Sequence, residues 1–510
     1  MVNTVRRVSS HGLGNEIVDR LRDQTTVTVA TGITCAYLGD ERNLREYLVA
    51  DELVKSLRKA GHVVHFLLFD DDIDPLNYRQ LRVAVKKDPA LVEQFEPYCG
   101  KPISDIRSPY TEGESWAKYF ESQFLKRLSA IDCHPTLIRT SSMYARGMYT
   151  PYVKQVLLQQ DRIYQYLAET FAGYRPEKLY WAVCPTCGYI DGTDVVAANQ
   201  TDAHVACQRC GKETWLSYEE LRGKLNWKLD CAARWAMFKV NVEPFSKAYL
   251  EPKAGSFYIA QGLSKTFFGG SDVSPLHFGT VTMPKELGYH LMESLPVDVL
   301  RSLFIKHHKT DLDINEERVI VEASRVDVLP DYSFLDVVKQ LLPAWILDCS
   351  ELDSQKRELM AKGMAFSREF LREDIKPMLP NRDQLDVTPC EVLREMNSLL
   401  QRIIVLREAF RNDYESFIGP TKATIERLGD YRKPVISHLR KIVGQEQGLP
   451  NSRFLFLLPL TYLRNLESMI SLYLAATAQK DTYAVIETSI KDVPLSVIAG
   501  DRLTFEHGHA

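Results

Sequence analysis

The strongest constraint on the fold is a strand–helix–strand pattern in the first part of the chain. Residues 26–31, "TVTVAT", form a β-branched run that ends at Gly32 and predicts a strand. An amphipathic pattern predicts a helix from about Leu44 to Lys59, and "GHVVHFLLFDD" then predicts a second, buried strand. Because both strands are apolar runs without clear alternation, they belong in a parallel sheet that is covered on both faces. The sequence therefore predicts an α/β fold with a Rossmann-like parallel sheet.

Carboxylates follow the second predicted strand without a break. The segment "FDDDID" places Asp70, Asp71, Asp72 and Asp74 at the carboxyl end of that strand. Open α/β sheets bind their ligands at this edge, so these side chains, Asp70 and Asp71 first among them, are candidates for receiving an ammonium group or a divalent cation. The alternative is a solvated strand end whose carboxylates cap the next helix.

Length, composition and charge restrict the class of protein. A chain of 510 residues, 45% hydrophobic and 25% charged, is typical of a globular protein with about three domains. The net charge of -4 argues neither for nor against a nucleic-acid partner, because a local basic patch can lie within a neutral total. The longest apolar run, Phe454–Leu460, is far shorter than the ~20 residues of a transmembrane helix, so we expect no membrane partner.

Cysteine usage indicates the compartment. The N-terminal segment lacks the apolar stretch of a secretory signal, and ten cysteines without such a signal favour a reducing, cytoplasmic location. We expect no DNA partner.

The order of predicted elements divides the chain into four segments. They are a first half of the Rossmann-like domain (1–175), a cysteine-bearing insertion (176–222), a second half with connecting helices (223–330) and a mainly helical C-terminal domain (331–510). Within the last segment, Thr388 and Glu391 have the spacing of a capping box, with Pro389 in the first turn, and predict the start of a helix.

Two cysteine pairs carry the most specific chemistry. The motifs "CPTCG" at 184–188 and "CQRCG" at 207–211 are Cys-x-x-Cys knuckles, each followed by a glycine. Together Cys184, Cys187, Cys207 and Cys210 supply the four sulfurs of a closed tetrahedral zinc site, which would make the metal structural. The alternatives are four independent cysteines, a redox dithiol, or a site in which His204 replaces one thiolate.

Several long stretches, in the same order and with matching spacing, resemble class I lysyl-tRNA synthetases over roughly residues 15 to 310. Besides the knuckles, the matching stretches are "GIT" at 32–34, "NLRE" at 43–46, "GKPISDIRSPYTEGESWAKYFESQF" at 100–124, "MYARGMYTPYV" at 143–153 and "GKLNWKLDCAARWAMFKVNVEPFSK" at 223–247. The resemblance implies a Rossmann-like catalytic domain of the class I aminoacyl-tRNA synthetase type. It also implies a zinc-bearing insertion and a C-terminal helical region that binds tRNA.

The elements with which this family binds ATP are altered. Its His-x-Gly-Asn signature follows the first strand, where this chain reads Asp40-Glu41-Arg42-Asn43. The string "HGLGN" at 11–15 precedes that strand and is not the signature, because the motif must begin the following helix to face a triphosphate. The string "GLSKT" at 262–266 comes too early for the family's lysine-rich loop, which leaves Lys285 as the nearest basic residue.

The ribose and adenine side is altered as well. The family's Gly-Lys-Asp-His reads Ser246-Lys247-Ala248-Tyr249 in this chain, so a carboxylate and an imidazole are missing. With two carboxylates where the resemblance places phosphates, like charges oppose nucleotide binding. We therefore expect that ordinary adenylation with ATP and Mg²⁺ is not used. The remaining candidates for phosphate contacts are Arg42, Asn43, Arg45 and Lys247.

The amino-acid side of the pocket is better preserved. By resemblance and by position at the sheet edge, the candidates for substrate binding are Gly32, Thr34, Asp70, Asp71, Asp230, Arg234 and Tyr258. Cys231 falls where the family has a pocket tryptophan. No catalytic residue is assigned.

Three hypotheses follow for the function. The first is a diverged lysyl-tRNA synthetase paralogue that acts on an amino acid, lysine or an analogue, or on aminoacyl-tRNA, without charging tRNA by the usual route. The second is an ATP-dependent amino acid ligase with replaced phosphate contacts. The third is a non-catalytic tRNA-binding or regulatory protein that uses the zinc module and a basic helical stretch near 420–443.

Overall fold

The computed structural model of the protein describes residues 15–251, 254–284, 290–347, 349–350, 352–371, 383–410, 413–444 and 450–480. Lys285 and all of the "HGLGN" string except Asn15 lie outside the described residues. Among the described residues, no helix has both the length and the apolarity that crossing a membrane requires.

Five parallel strands form the main sheet, in the order β10-β9-β1-β2-β3. The strands of the described residues are β1 (Thr26–Ile33), β2 (Val63–Asp70), β3 (Thr136–Arg139), β4 (Tyr180–Ala182), β5 (Thr193–Ala198), β6 (Asp202–Cys207), β7 (Glu213–Ser217), β8 (Gly223–Leu225), β9 (Val242–Ser246), β10 (Ser274–Phe278), β11 (Val281–Thr282), β12 (Leu312–Asp313), β13 (Asp327–Leu329) and β14 (Tyr332–Ser333). The predicted Rossmann-like parallel sheet is confirmed.

Helices connect the strands and make up most of the C-terminal region. They are α1 (Asn15–Arg20), α2 (Leu44–Lys59), α3 (Tyr78–Ala84), α4 (Pro89–Phe95), α5 (Trp116–Ala130), α6 (Thr140–Ala145), α7 (Thr150–Leu158), α8 (Gln160–Thr170), α9 (Trp227–Phe238), α10 (Ser256–Phe267), α11 (Leu291–Ser294), α12 (Val297–Ile305), α13 (Glu316–Ala323), α14 (Phe334–Asp336), α15 (Leu342–Leu347), α16 (Ser354–Phe370), α17 (Asp383–Asp386), α18 (Cys390–Ala409), α19 (Tyr414–Glu426), α20 (Arg432–Ile442), α21 (Asn451–Leu457) and α22 (Leu460–Lys480). The helix predicted at 44–59 has the predicted bounds.

The strand order reverses at β1. From β1 the chain proceeds outwards through β2 and β3 on one side, and it later returns to β9 and β10 on the other side. β1 and β2 pair along their whole length, from Thr26 with Val63 to Ile33 with Asp70, so their carboxyl ends lie at the same level. In open α/β sheets the connections diverge at such a reversal and leave a crevice that binds ligands.

The described residues form two compact units. One comprises the chain up to 284 together with 301–314, and the other comprises 290–300 and the chain from 315 onwards. In the first unit, the core packs α9 and α10 against the sheet through Trp235, Phe257 and Leu263. The predicted division into four segments stays a prediction.

In the second unit, α18 and α22 pack through apolar side chains at helical spacing. Leu393, Met396 and Leu400 of α18 belong to the same buried cluster as Leu463 and Ile470 of α22. This confirms the predicted helical C-terminal region. A stripe that repeats every three or four residues places these side chains on one face of each helix.

The capping box predicted at Thr388 is wrong. The helix begins at Cys390 after Pro389, which carries no capping side chain. The Thr388 hydroxyl donates instead to the carbonyl oxygen of Gln384, at 2.5 Å. The hydroxyl therefore bonds backward to the preceding turn, a local alternative that threonine side chains commonly take.

Arg45 ties the start of α2 to the segment that follows β10. The residue is 1% exposed, and its guanidinium donates to the carbonyl oxygens of Phe304 (3.1 Å), Gly279 (2.9 Å), Thr310 (2.9 Å) and His307 (3.0 Å). A fork of fixed donors suits several carbonyls at once, which a lysine would not match.

We expect Arg45→Met to lower the free energy of unfolding by about 3 kcal/mol, because several buried carbonyl groups lose their donor. Urea denaturation followed by circular dichroism would measure the change. Arg42→Met, three residues earlier and half-exposed, is the matched control and should change stability by less than about 1 kcal/mol. Equal effects of the two substitutions would contradict a structural role for Arg45.

Candidate functional site

A cavity of about 560 Å³ lies at the reversal of the strand order. Its walls come from three neighbouring strands and the residues that follow them: Gly32 at the end of β1 and Thr34 after it, Asp71 after β2, and Glu243 to Ser246 of β9. Arg234 of α9 closes one side. The site therefore brings together four of the residues predicted to bind substrate, namely Gly32, Thr34, Asp71 and Arg234.

Two buried cations in the cavity wall are each held by carboxylates. The Lys224 ammonium forms an ion pair with Asp74, which also accepts a hydrogen bond from the Thr34 hydroxyl at 2.6 Å. Arg234 lies 3.3 Å from Asp71. Although burial acts in the opposite direction, the carboxylates around Lys224 raise its pKa, so this side chain stays charged.

Asp230 fixes the position of Arg234 from below the cavity. Its carboxylate accepts from the Arg234 Nε at 2.8 Å and from the hydroxyls of Tyr149 and Tyr144 at 2.6 and 2.9 Å. The two tyrosine rings stack at 3.9 Å, with planes 5° apart. Asp230 is buried, so it acts through Arg234 and does not itself line the cavity.

Glu46 and Glu243 are the other two carboxylates of the cavity wall. Glu46 accepts from the Thr31 hydroxyl at 2.5 Å, and Glu243 accepts from the indole N–H of Trp235. Within the described part of the chain, neither carboxylate forms an ion pair. Burial raises the pKa of Glu46 to about 7, with a further contribution from the charge of Glu243, and burial also raises the pKa of Glu243.

Asp70 does not reach the cavity. It is 0% exposed and lies behind the wall, where it accepts from the backbone N–H of Cys35 at 3.1 Å. Burial and the neighbouring Asp72 raise its pKa well above the usual value, so a neutral carboxyl group is favoured there. Tyr258 lies on α10, is partly exposed and is not part of the cavity wall.

The predicted phosphate contacts are engaged elsewhere. The Arg42 Nε lies 2.9 Å from both carboxylate oxygens of Asp40, and Asp40 also accepts from the Arg42 backbone N–H at 3.0 Å. Arg45 binds backbone carbonyls, as described above. Lys247 pairs with Asp311, and Asn43 is exposed at the start of α2. These positions do not converge on the cavity, and their role in phosphate binding stays a prediction.

The four cysteines of the knuckles converge, as expected for a metal site. Their sulfur atoms lie within 4.8 Å of one another, with 3.7 Å between Cys184 and Cys210 and 3.6 Å between Cys187 and Cys207. Tetrahedral zinc with bonds of ~2.3 Å requires sulfur separations of ~3.8 Å, so the cluster fits this metal. The glycine after each knuckle has a positive φ, and its N–H donates to the carbonyl oxygen of the first cysteine.

His204 belongs to a different contact. Its ring stacks on Trp215 across the β6–β7 pair, with centroids 5.0 Å apart, and its Nε2 lies 3.6 Å from Glu213. The thiols of the two knuckles make up the candidate metal group without it.

Several residues of the cavity are absent from the sequence prediction. They are Glu46, Lys224, Trp227, Glu243 and Tyr249. Asp74, a candidate from the "FDDDID" segment, also lies in the cavity wall. Glu46 lies within "NLRE", and Lys224, Trp227 and Glu243 lie within the stretch at 223–247. The matching stretches therefore contained a signal, but nothing in the spacing of these residues shows that they meet.

Comparison with known proteins identifies the family. A family model described as tRNA synthetases class I (K) matches residues 10–291, more than half of the chain. The chain belongs to this family. Its sequence is 27% identical to the lysine–tRNA ligase of Thermoplasma acidophilum, covering 54% of this chain and 55% of the relative. It is 29% identical to the lysine–tRNA ligase of Methanosarcina barkeri, and the alignment covers 56% of this chain and 54% of that relative.

The chain thus spans about half the length of these two curated relatives. Similarity to the lysine–tRNA ligase of Methanosphaera stadtmanae is more extensive: 27% identity over 86% of this chain and 94% of that one. Among solved structures, the arginyl-tRNA synthetases of Plasmodium falciparum and Thermus thermophilus align at 12% and 13% identity. Each alignment covers 90% of this chain. It covers 78% of the Plasmodium falciparum chain, with a TM-score of 0.31, and 84% of the Thermus thermophilus chain, with a TM-score of 0.27.

We expect the purified protein to carry about one zinc ion per chain, held by the four thiolates. Atomic absorption would show a large loss of zinc in Cys187→Ser and Cys207→Ser, with a lower thermal midpoint, because metal binding adds to the folding free energy. Cys99→Ser, a cysteine outside the cluster, is the control and should retain its zinc. Full zinc content in all three variants would contradict the assignment.

Proposed function

We propose that this protein is a diverged class I synthetase that binds lysine, a lysine analogue or the aminoacyl end of a charged tRNA, without charging tRNA through an adenylate. The observation that carries the proposal is the charge of the cavity. Four carboxylates line it against two cations, and both cations are already paired. A ligand with two ammonium groups and no free carboxylate, such as a lysyl ester, would balance this excess, and free lysine, whose own carboxylate cancels one of its ammonium charges, would offset half of it.

Glu46 and Glu243 are the acceptors that such a ligand would meet. Each carboxylate is anchored by a hydrogen bond on one side, to Thr31 and to Trp235 respectively, and so is held in a fixed orientation. Carboxylates without an ion-pair partner in a partly desolvated wall are costly, and an entering ammonium group would relieve that cost. Asp71 and Asp74 are engaged with Arg234 and Lys224, and they complete the negative wall.

The region after β1 supports the absence of an adenylation step. The short turn that precedes α2 is capped by Asp40, whose carboxylate accepts from the Arg42 N–H and also holds the Arg42 guanidinium. Backbone donors at a helix start attract phosphate, but here a side-chain anion already satisfies one of them. A triphosphate would have to displace Asp40 and overcome its charge.

A second candidate, lysine–tRNA ligase activity of the ordinary kind, is favoured by one observation. The similarity to the Methanosphaera stadtmanae lysine–tRNA ligase extends over 94% of that protein. This candidate requires Arg42 and Lys247 to leave Asp40 and Asp311 and to bind phosphate. It predicts pyrophosphate exchange that depends on lysine, which the first candidate does not.

The basic helical stretch near 420–443 supports a tRNA-binding role only weakly, because one of its basic side chains is buried within the helical unit. Arg440 of α20 is buried, donates to Asn451 at 2.9 Å and lies over the Phe454 ring. It therefore stabilises the helical unit. Arg432, Lys433 and Lys441 remain as candidates for contact with a phosphate backbone.

Isothermal titration calorimetry and pyrophosphate exchange would test the proposal. We expect lysine to bind the protein alone and ATP to produce neither heat nor exchange, with or without lysine. A robust lysine-dependent exchange of labelled pyrophosphate into ATP would establish the second candidate and overturn the first.

Lysine affinity should also fall as the pH is lowered. Glu46 and Asp71 have pKa values raised by burial to about 7 and about 6, so both lose their charge as the pH falls through those values. A neutral carboxyl group no longer attracts an ammonium group, and each protonation would weaken binding by up to about ten-fold per pH unit.

Glu46→Gln should weaken binding at pH values above the pKa of Glu46 and remove the step near 7 from the profile of Kd against pH. The step near 6 should remain. Glu93→Gln, an exposed glutamate on α4, is the control and should leave both steps in place. A flat profile for the unmodified protein would contradict recognition by these carboxylates.

A further inference from the structure

A short basic segment follows the second strand of the main sheet and differs in charge from the rest of the chain. Residues 77–87 contain four cations, Arg79, Arg82, Lys86 and Lys87, and no carboxylate, whereas the whole chain has a net charge of -4. All four side chains are exposed, on α3 and in the turn that leads to α4. In the part of the chain that the structure describes, none of them forms an ion pair. A surface of this kind attracts anionic groups.

Two of these cations share a face of α3 with an exposed apolar side chain. Arg79 precedes Arg82 by three residues and Val83 by four, and side chains at this spacing are neighbours on a helix surface. Val83 is 42% exposed, while Leu81 and Ala84 of the same helix are buried. The outer face of α3 therefore combines two guanidinium groups with an apolar surface that no other described residue buries.

Two tyrosines extend this face. Tyr78 is 47% exposed, and the Arg82 guanidinium lies 6.0 Å from the centroid of its ring. Tyr110 is 39% exposed, and its hydroxyl donates to the carbonyl oxygen of Ala84 at 2.9 Å, which places it beside the end of α3. Tyrosine and arginine are enriched at the centres of protein interfaces, where they supply most of the binding energy. The composition of this surface is thus typical of a site for a protein partner.

The turn after α3 holds both of its lysines in a backbone conformation that residues with a Cβ rarely adopt. Lys86 and Lys87 have φ values of 52° and 62°. Their N–H groups donate to the carbonyl oxygens of Val83 and Arg82, at 3.1 and 2.8 Å. Glycine or asparagine would adopt this left-handed conformation at a lower cost, so the stability of the turn alone does not account for two lysines. Backbone strain of this kind is concentrated at functional sites.

We propose that the exposed surface of α3 and of the turn after it is a docking site for an acidic segment of another protein. This surface, the α3 face, consists of Tyr78, Arg79, Arg82, Val83, Lys86, Lys87 and Tyr110. The partner segment would place carboxylates on the four cations and one apolar side chain on Val83. None of these residues lines the cavity described above, so the assignment is independent of the proposed function.

Carboxylates near the α3 face favour a short acidic protein segment over the backbone of a nucleic acid. Asp88 follows Lys87 directly and Glu93 is exposed on α4, while Glu112 and Glu114 are exposed in the loop after Tyr110. A phosphate backbone that continues beyond the α3 face would meet these like charges. A short peptide segment meets the cations and ends before it reaches the carboxylates.

Charge and apolar contact would contribute to binding in different ways. Exposed ion pairs add little affinity individually, but they accelerate association and exclude partners of the wrong charge, and salt weakens them. Burial of Val83 and of the tyrosine rings adds a part that does not depend on electrostatic attraction. Binding should therefore weaken as salt is added and level off without disappearing.

Selection from a phage-displayed library of short random peptides on the full-length protein would test the assignment. Counter-selection on the double variant Arg79→Glu/Arg82→Glu removes the peptides that bind elsewhere on the molecule. We expect the enriched peptides to be acidic and to carry a large apolar side chain among their carboxylates. A pool without acidic enrichment, or one that does not distinguish the two proteins, would overturn the proposal.

Fluorescence polarisation with the most enriched peptide would then measure the contribution of each side chain. Arg82→Glu should weaken binding by at least about ten-fold, because an attractive pair becomes a repulsive one. Val83→Ser should reduce the affinity that remains at high salt. Arg22→Glu, at an exposed arginine outside the α3 face, is the control and should leave binding unchanged.

Two further measurements separate recognition from misfolding and protein from RNA. A peptide with lysine in place of its acidic residues should bind Arg79→Glu/Arg82→Glu more tightly than it binds the unmodified protein, which a misfolded variant would not show. A tRNA transcript in a filter-binding assay should bind the double variant and the unmodified protein alike. A loss of RNA affinity as large as the loss of peptide affinity would overturn the assignment to a protein partner and indicate a nucleic-acid backbone instead.

Discussion

The cavity of the first unit depends on the reversal of strand order at β1. Parallel pairing fixes the carboxyl ends of β1, β2 and β9 at one level, and the diverging connections keep that edge open. Gly32, Asp71 and Glu243 are far apart in the chain and meet only because of this arrangement. The backbone hydrogen bonds of the sheet, which involve no side chain of the site, thus determine where the cavity groups carried by β1, β2 and β9 lie.

The charges of the cavity form a second level of organisation. Lys224 and Arg234 are nearly buried, and a buried cation is tolerated only with well-placed carboxylate partners. Asp74 and Asp71 supply them in the wall, while Asp230 orients Arg234 from beneath with the help of two tyrosine hydroxyls. This network assigns two of the acidic side chains to internal partners. It leaves Glu46 and Glu243, each anchored by a hydrogen bond and without an ion-pair partner among the described residues, as the groups that the proposed ligand would meet.

The sequence predicted the parts of this arrangement that depend on local patterns. Apolar runs predicted β1 and β2, the helical period predicted α2 with its bounds, and the knuckle spacing predicted the cysteine cluster. Local pattern could not predict Glu46 or Lys224, because each looks like an ordinary polar residue until the fold brings it into the cavity wall. It also failed at Thr388, where a backward hydrogen bond replaced the cap. Arg45 was a candidate for phosphate by its position after Asn43, yet distant carbonyl groups bind it.

The pairing of Asp40 with Arg42 has a consequence for any substitution at position 40. The same carboxylate caps the turn before α2 and neutralises the neighbouring guanidinium, so one substitution cannot remove the first role and keep the second. A histidine at that position would remove the cap and release the Arg42 charge at once. The turn and the local charge balance are therefore coupled through a single side chain.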